Sequence, residues 1–167
     1  DAAIEGHVST LQALSTSSNL TLGNVDNFER RLARILESQP DWEDVILSTP
    51  DGRRVADAAH PSEVGDADPD AAAFQRAVRT GHPVAGDIVP RGVAKRYGIA
   101  IHFPVLKGRE VAYVLSAILR PAQFQAVIEA QRFPPSWTSG LVDGGMHFIA
   151  RLPPRQPWET ASTDFRE

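Results

Sequence analysis

Residues 99–119, IAIHFPVLKGREVAYVLSAIL, decide the fold. Apolar residues, many of them β-branched or aromatic, fill both ends of the stretch. Leu106-Lys107-Gly108-Arg109 makes a short connection in its middle. The pattern predicts two antiparallel strands, Tyr97–Val105 and Glu110–Leu119, joined as a hairpin. Val111 to Leu115 is apolar without alternation, which predicts a central strand covered on both faces. In the first strand, alternation puts Ala100, His102 and Pro104 on one face and Ile99, Ile101 and Phe103 on the other.

Working outward, Val84–Val89 reads as a third strand of the same sheet. Upstream, residues 41–57, DWEDVILSTPDGRRVAD, give an apolar strand around Val45-Ile46-Leu47. A Pro50-Asp51-Gly52 turn and a return strand to Ala56 follow, because Pro presets φ and Gly accepts positive φ. The polar stretch Asp57 to Asp68 predicts a loop. Asp68-Pro69 then predicts the start of a helix, as N-cap and first-turn proline, with Gly81 closing it. Towards the N-terminus, Ile4, Val8, Leu11 and Leu14 form the stripe of an amphipathic helix. Asp26 and Glu29 form a capping box for a second helix, which Pro40 ends. Beyond the sheet, Pro121 opens a helix carrying Phe124, Val127 and Ile128. Residues 137–150 then repeat the Trp, strand, Gly turn and strand of residues 42–56, a weak internal repeat. Helices segregated from a run of antiparallel strands define an α+β domain.

The composition excludes several functions. The chain has 167 residues, 42% hydrophobic and 23% charged, as a folded globular domain has. With 17 Lys+Arg against 21 Asp+Glu, the net charge is −4, so nothing draws the chain as a whole to nucleic acid or anionic lipid. The absence of cysteine excludes disulfides, thiolate metal sites and cysteine nucleophiles. No stretch is apolar enough for a transmembrane helix. Without an initiator Met or a signal peptide, the chain is expected to be an excised piece of a longer protein.

Three segments, residues 41–57, residues 64–89 (VGDADPDAAAFQRAVRTGHPVAGDIV) and residues 99–119, in this order resemble the Cache family. Its members are PAS-like sensor modules outside the membrane in histidine kinases, chemoreceptors and diguanylate cyclases. The carrying features are the Asp51-Gly52 hairpin, Gly65 before an acidic helix start, Phe74 and Gly81 bracketing that helix, and the FPV…G…V strand pair. The likeness covers about residues 26–132. It implies a PAS-like Cache fold, with a central sheet of about five strands and a long N-terminal stalk helix. The division it implies is stalk helices at 1–36, a sensor module at 37–132, and a linker with the start of a truncated membrane-proximal module at 133–167. It also implies a periplasmic or extracellular location on an inner-membrane protein, with contact to the membrane only through other segments. Many members carry an Arg and a Tyr just before the helical Phe, where they hold amino-acid-like ligands. Ala71 and Ala73 stand there in this chain, so that ligand class does not carry over.

Catalytic signatures are missing. There is no G-x-S-x-G, H-E-x-x-H, Walker loop or dinucleotide fingerprint. No two of the five His are spaced to chelate on one helix, and no metal or cofactor is expected. Asp66-x-Asp68-x-Asp70 lacks the Gly and Glu of a calcium loop and reads as a helix start. A hydrolase built on His102 and Asp87 lacks a nucleophile. The candidate ligand-binding residues are Arg96, Tyr97, His102, Tyr113 and Asp87. Arg96 offers a planar fork for a carboxylate and Tyr97 a rigid body with a hydroxyl, although both also fit an exposed loop. Mid-strand His102 needs a buried partner or a ligand. Tyr113 and Ser116 lie on opposite faces of their strand; Tyr113, with the longer reach, is preferred on the face of His102. Asp87 can hold an ammonium group or simply be solvated. The expected function is a non-enzymatic, small-solute-sensing input domain, most naturally of a histidine kinase. It would be homodimeric through the apolar stripe of the N-terminal helix. The alternative is a ligand-free PAS-like dimerisation spacer.

Overall fold

The computed structural model describes residues 2–17, 20, 25–61, 65, 70–91 and 96–154. Five strands form one sheet: β1 (Trp42–Ser48), β2 (Arg54–Asp57), β3 (Val84–Arg91), β4 (Arg96–Lys107) and β5 (Glu110–Leu119). Their order is β2-β1-β5-β4-β3 and every pair is antiparallel. β5 lies at the centre, as its unbroken apolar run predicts, and Val114 to Leu119 are all buried. The β4–β5 hairpin closes through Gly108-Arg109 with Lys107 opposite Glu110, and Gly108 takes the φ of 67° that the turn requires.

Each face of this sheet has its own cover. Val45, Leu47, Ile99, Ile101, Leu115, Ala117 and Leu119 face the main core. Over them lie α1 (Ala2–Ser15) and α2 (Val25–Ser38), which contribute Leu11, Leu14, Phe28 and Leu32, none more than 2% exposed. Burying side chains of this size is worth about 1.5–3 kcal/mol each, so the two helices are integral to the domain. The apolar stripe expected to make a dimer contact is therefore consumed by the chain's own sheet. α1 has 14 residues, about 21 Å of helix, and no long stalk is seen among the described residues. His7 fastens it: Trp42 Nε1 donates to His7 Nδ1 at 2.9 Å, and His7 Nε2 lies 3.1 Å from Gln123 Oε1. These partners require the tautomer with its proton on Nε2.

α2 starts one residue earlier than expected, at Val25; the side chain of Asp26, and with it the capping box, lies outside the described residues. The opposite face of the sheet is covered by α3 (Ala71–Thr80), with Phe74, Ala73 and Ala77 turned inward. The expected start at Asp68-Pro69 lies outside the described residues; the cap is Asp70, whose carboxylate accepts from Ala73 N. Gly81 ends the helix at φ 67°, as predicted.

α4 (Pro121–Ala130) begins with its proline in the first turn and buries Phe124 and Ile128. β6 (Ser139–Val142) and β7 (Phe148–Leu152) form a separate antiparallel pair. Gln125 of α4 holds this pair by exchanging two hydrogen bonds with the backbone of Arg151. Two reciprocal bonds hold it to β3: Ile88 N donates to Asp143 Oδ2 and Gly144 N donates to Asp87 Oδ1. The repeat expected between residues 42–56 and 137–150 exists as strand–turn–strand, but the Trp positions differ. Trp42 is 1% exposed and Trp137 59%.

Candidate functional site

The face beneath α3 is unusually polar for a buried surface. One row of paired residues crosses the sheet there: Asp57 opposite Ile46, Ile46 opposite Ser116, Ser116 opposite His102, and His102 opposite Val84. A small apolar patch, Ile46, Ala100 and Ile118, lies within it. Asp44, Ser48, Arg54, Asp57, His102 and Ser116 are all buried around that patch, and Asp70 is buried at the start of α3. Burying so many polar groups is costly unless each finds a partner.

His102 stands near the centre. Its Nδ1 lies 2.8 Å from Ser116 Oγ. Phe74 meets the imidazole edge-on, with ring centroids 5.5 Å apart. Nε2 is buried and has no hydrogen-bond partner. The nearest carboxylate oxygen, Asp70 Oδ2, is 3.9 Å away, beyond hydrogen-bond reach. Asp70 is held in place from two sides: Oδ1 accepts from Ala73 N and Oδ2 from Asp87 N. The approach of β3 depends on Gly86, because a Cβ there would lie 1.7 Å from Asp70 Oδ2.

A second cluster occupies the β1–β2 edge of the same face. Asp44 Oδ1 accepts from Val45 N and Ala59 N, which leaves Oδ2 3.2 Å from His60 Nδ1. Asp57 accepts from His60 N and pairs with Arg54 at 3.2 Å. Burial, reinforced by the charge and hydrogen bonding of Asp44, pushes the Asp57 carboxyl up to about 7; the His60 N–H and Arg54 work against that rise. Asp44, Asp57 and His60 present ligand atoms within 4.8 Å of one another, a set able to hold a metal ion. Arg54 already supplies Asp57 with the positive charge that a metal would bring.

Of the five residues singled out in the sequence, only His102 lies on this face. Tyr113 shares the face of Leu115 and Ala117 and packs against the main core; Ser116 is the β5 residue that meets His102. Strand parity outweighs side-chain reach, so the preference for Tyr113 is corrected. Tyr97 also packs against the main core. Arg96 has a side chain 69% exposed and pairs with Glu43 at 2.8 Å. Asp87 is exposed, and its carboxylate holds the β6–β7 turn. The sequence reading weighed Ser116 and passed it over, took Asp70 only as part of a helix start, and missed Asp44, Asp57 and His60. The signal for Asp44 was present, since Asp44, Ile46 and Ser48 alternate along β1 and put two polar residues on a covered face.

A cavity of about 440 Å³ lies elsewhere, between β3–β4, α4 and the β6–β7 pair. Its walls are mostly apolar, including Ile99, Phe124, Ile128 and Ile149, and exclude His102.

The strand order, the flanking N-terminal helices and the single short helix over the opposite face make an α+β fold of the PAS-like Cache type. Solved structures of that kind match it closely in shape. The sensor domain of the V. cholerae histidine kinase DctB superposes with a TM-score of 0.67 at 14% identity, over 90% of this chain and 60% of that one. The ligand-binding domain of the Pseudomonas aeruginosa amino acid chemoreceptor PctB, in complex with L-Arg, gives 0.64 at 17% identity, over 89% and 62%. That of the Campylobacter jejuni chemoreceptor Tlp3, in complex with L-norvaline, gives 0.64 at 16% identity, over 90% and 62%. The chain thus spans under two thirds of each of these structures. No protein-family model matches the sequence, and no curated protein matches it.

Proposed function

We propose that the chain is the extracytoplasmic, non-catalytic input domain of a membrane-bound signalling protein, with a histidine kinase as output, and that it binds a small solute on the face covered by α3. The observation that carries this reading is His102 Nε2, buried and without a partner in a row of buried polar side chains. A polar atom left unsatisfied in a core costs about 1–3 kcal/mol and calls for a specific reason; a ligand that completes its hydrogen bonding is such a reason. The small molecules named in two of the neighbouring structures, L-Arg and L-norvaline, support a small solute without fixing its class, and the histidine kinase among the neighbours supports the output. A periplasmic position is consistent with the extracytoplasmic neighbours, and no described helix is long and apolar enough to cross a membrane.

Binding would shift the balance between two arrangements of sheet and helix α1, limited by the solute's preference for one of them. A homodimer through the N-terminal helix would use its outer face, with Glu5, Ser9 and Gln12, since the inner stripe is buried. The ligand-free spacer is the competing reading, and the close enclosure of His102 by Phe74 favours it. A thermal-shift screen of small amines, acids and sugars separates the two. At least one saturable stabiliser is expected, and its effect should fall in Ser116→Ala. No stabiliser in any class would leave the spacer.

A further inference from the structure

We infer that the cavity between the sheet, α4 and the β6–β7 pair is a binding site for a small, uncharged, largely apolar solute. It is separate from the polar face beneath α3, and the inference stands whether or not that face takes a ligand.

Shape gives the first argument. The cavity draws its walls from three sides: Ala85 and Ile99 of the sheet, Phe124 and Ile128 of α4, and Leu141 and Ile149 of the β6–β7 pair. Its volume of about 440 Å³ lies within the range of pockets that enclose small ligands. An apolar cavity of about 150 Å³ already admits benzene, so this one has room for a fused ring pair or a chain of about eight carbons. It lies where the β6–β7 pair is tied to the rest of the chain by Asp87, Asp143 and Gln125. A solute held there would touch the sheet, α4 and the strand pair at once and strengthen that attachment.

Chemistry gives the second. Val127, Phe133 and Leu141 line the cavity and remain 45%, 37% and 40% exposed, so a solute over them would take apolar surface out of water. Asp143 is the one ionisable residue among the described lining residues. Its carboxylate is spent on the chain itself: Oδ2 accepts from Ile88 N at 3.1 Å and Oδ1 from His147 N at 2.8 Å. None of the described lining residues is Lys, Arg or His, so an anion would find no partner inside, and a cation would find only a carboxylate already bonded. Gln131 and Ser139 supply neutral polar side chains, enough to orient one hydroxyl or carbonyl. A further stretch of protein in the same place would bring a row of backbone N–H and C=O groups to walls with few partners for them, which disfavours it as the occupant.

The test is titration calorimetry and thermal shift on the chain with 1-octanol and 2-naphthol, set against octanoate, octylammonium and sorbitol. At least one of the first two should bind saturably, one molecule per chain, and raise the melting temperature. Octanoate and octylammonium should bind about tenfold or more weakly than 1-octanol, because their charge would be desolvated without a partner, and sorbitol should not bind. Val127→Trp and Leu141→Trp enlarge half-exposed residues on two different walls. Each should fold with a melting temperature close to the parent's and weaken binding about tenfold or more, by filling the space the solute needs; if one fails to fold, the other carries the test. Equal binding of 1-octanol and octanoate would overturn the inference, as would unchanged affinity in a folded variant or the absence of saturable binding by both probes. A chain that self-associates, becomes monomeric in Val127→Asp and binds neither probe would make the cavity an interface between copies and overturn it too.

Discussion

Replacing Asp44 by Asn tests the electrostatics of the covered face with little change of shape. Asn keeps the oxygen that accepts from Val45 N and Ala59 N, and its amide can donate to His60 Nδ1, now 3.2 Å from Asp44 Oδ2, once the imidazole proton moves to Nε2. What disappears is one negative charge beside Asp57, together with the carboxylate oxygen that a protonated Asp57 can bond. Burial and Asp44 together raise the Asp57 carboxyl from 3.8 to about 7, which favours its protonated form in the folded chain. The folded chain therefore holds a proton that the unfolded chain releases. The associated stability is complete below the unfolded value and is lost as pH rises through about 7. Burial is the larger cause and persists in the variant; the Asp44 contribution, about 1–2 kcal/mol, does not. Thermal unfolding followed by circular dichroism, with EDTA present, should find Asp44→Asn more stable than the parent at pH 8. For a chain of this length the gain is about 2–8 °C. At pH 5, where Asp57 is protonated in both proteins and the carboxylates no longer repel, the gain should disappear. A variant less stable at pH 8, or two parallel pH profiles, would refute the reasoning.

Other outcomes follow from the same geometry. Leu11→Ala should cost about 2–5 kcal/mol in chemical denaturation, because α1 is part of the core; a negligible cost would make the helix a detached appendage. Gly86→Ala forces a methyl group into Asp70, so it should lower the melting temperature and abolish the ligand response; normal behaviour would place β3 elsewhere. Ser116→Ala should destabilise by about 1–3 kcal/mol by stripping His102 Nδ1 of its partner. Arg96→Ala should change stability by less than about 1 kcal/mol, as its ion pair is exposed, and should leave ligand affinity intact.

Periodicity carried most of the fold. The central strand, both hairpins of the sheet and the proline start of α4 are dictated by local residue patterns, and each lies where the pattern puts it. The start of α3 was harder to read, because Asp68 and Asp70 are equally good caps in sequence and only contacts with Ala73 and Asp87 distinguish Asp70. The site was less legible still. His102 announces itself as a titratable residue inside an apolar strand, but its partners come from β5, the end of a loop and a helix cap. Their convergence depends on register and on how helices cover the sheet. The stripe on α1 shows the same limit: amphipathicity reveals that a face is buried without revealing what buries it.

Asp87 belongs to two attachments at once. Its amide is bonded to the cap of α3, and its carboxylate grips the turn between β6 and β7. One residue therefore ties the helix over the polar face to the outlying ribbon beyond the sheet. With Ile88 N bonded to Asp143 beside it, two neighbouring residues of β3 carry the attachment of that ribbon, and the first of them also carries the helix cap.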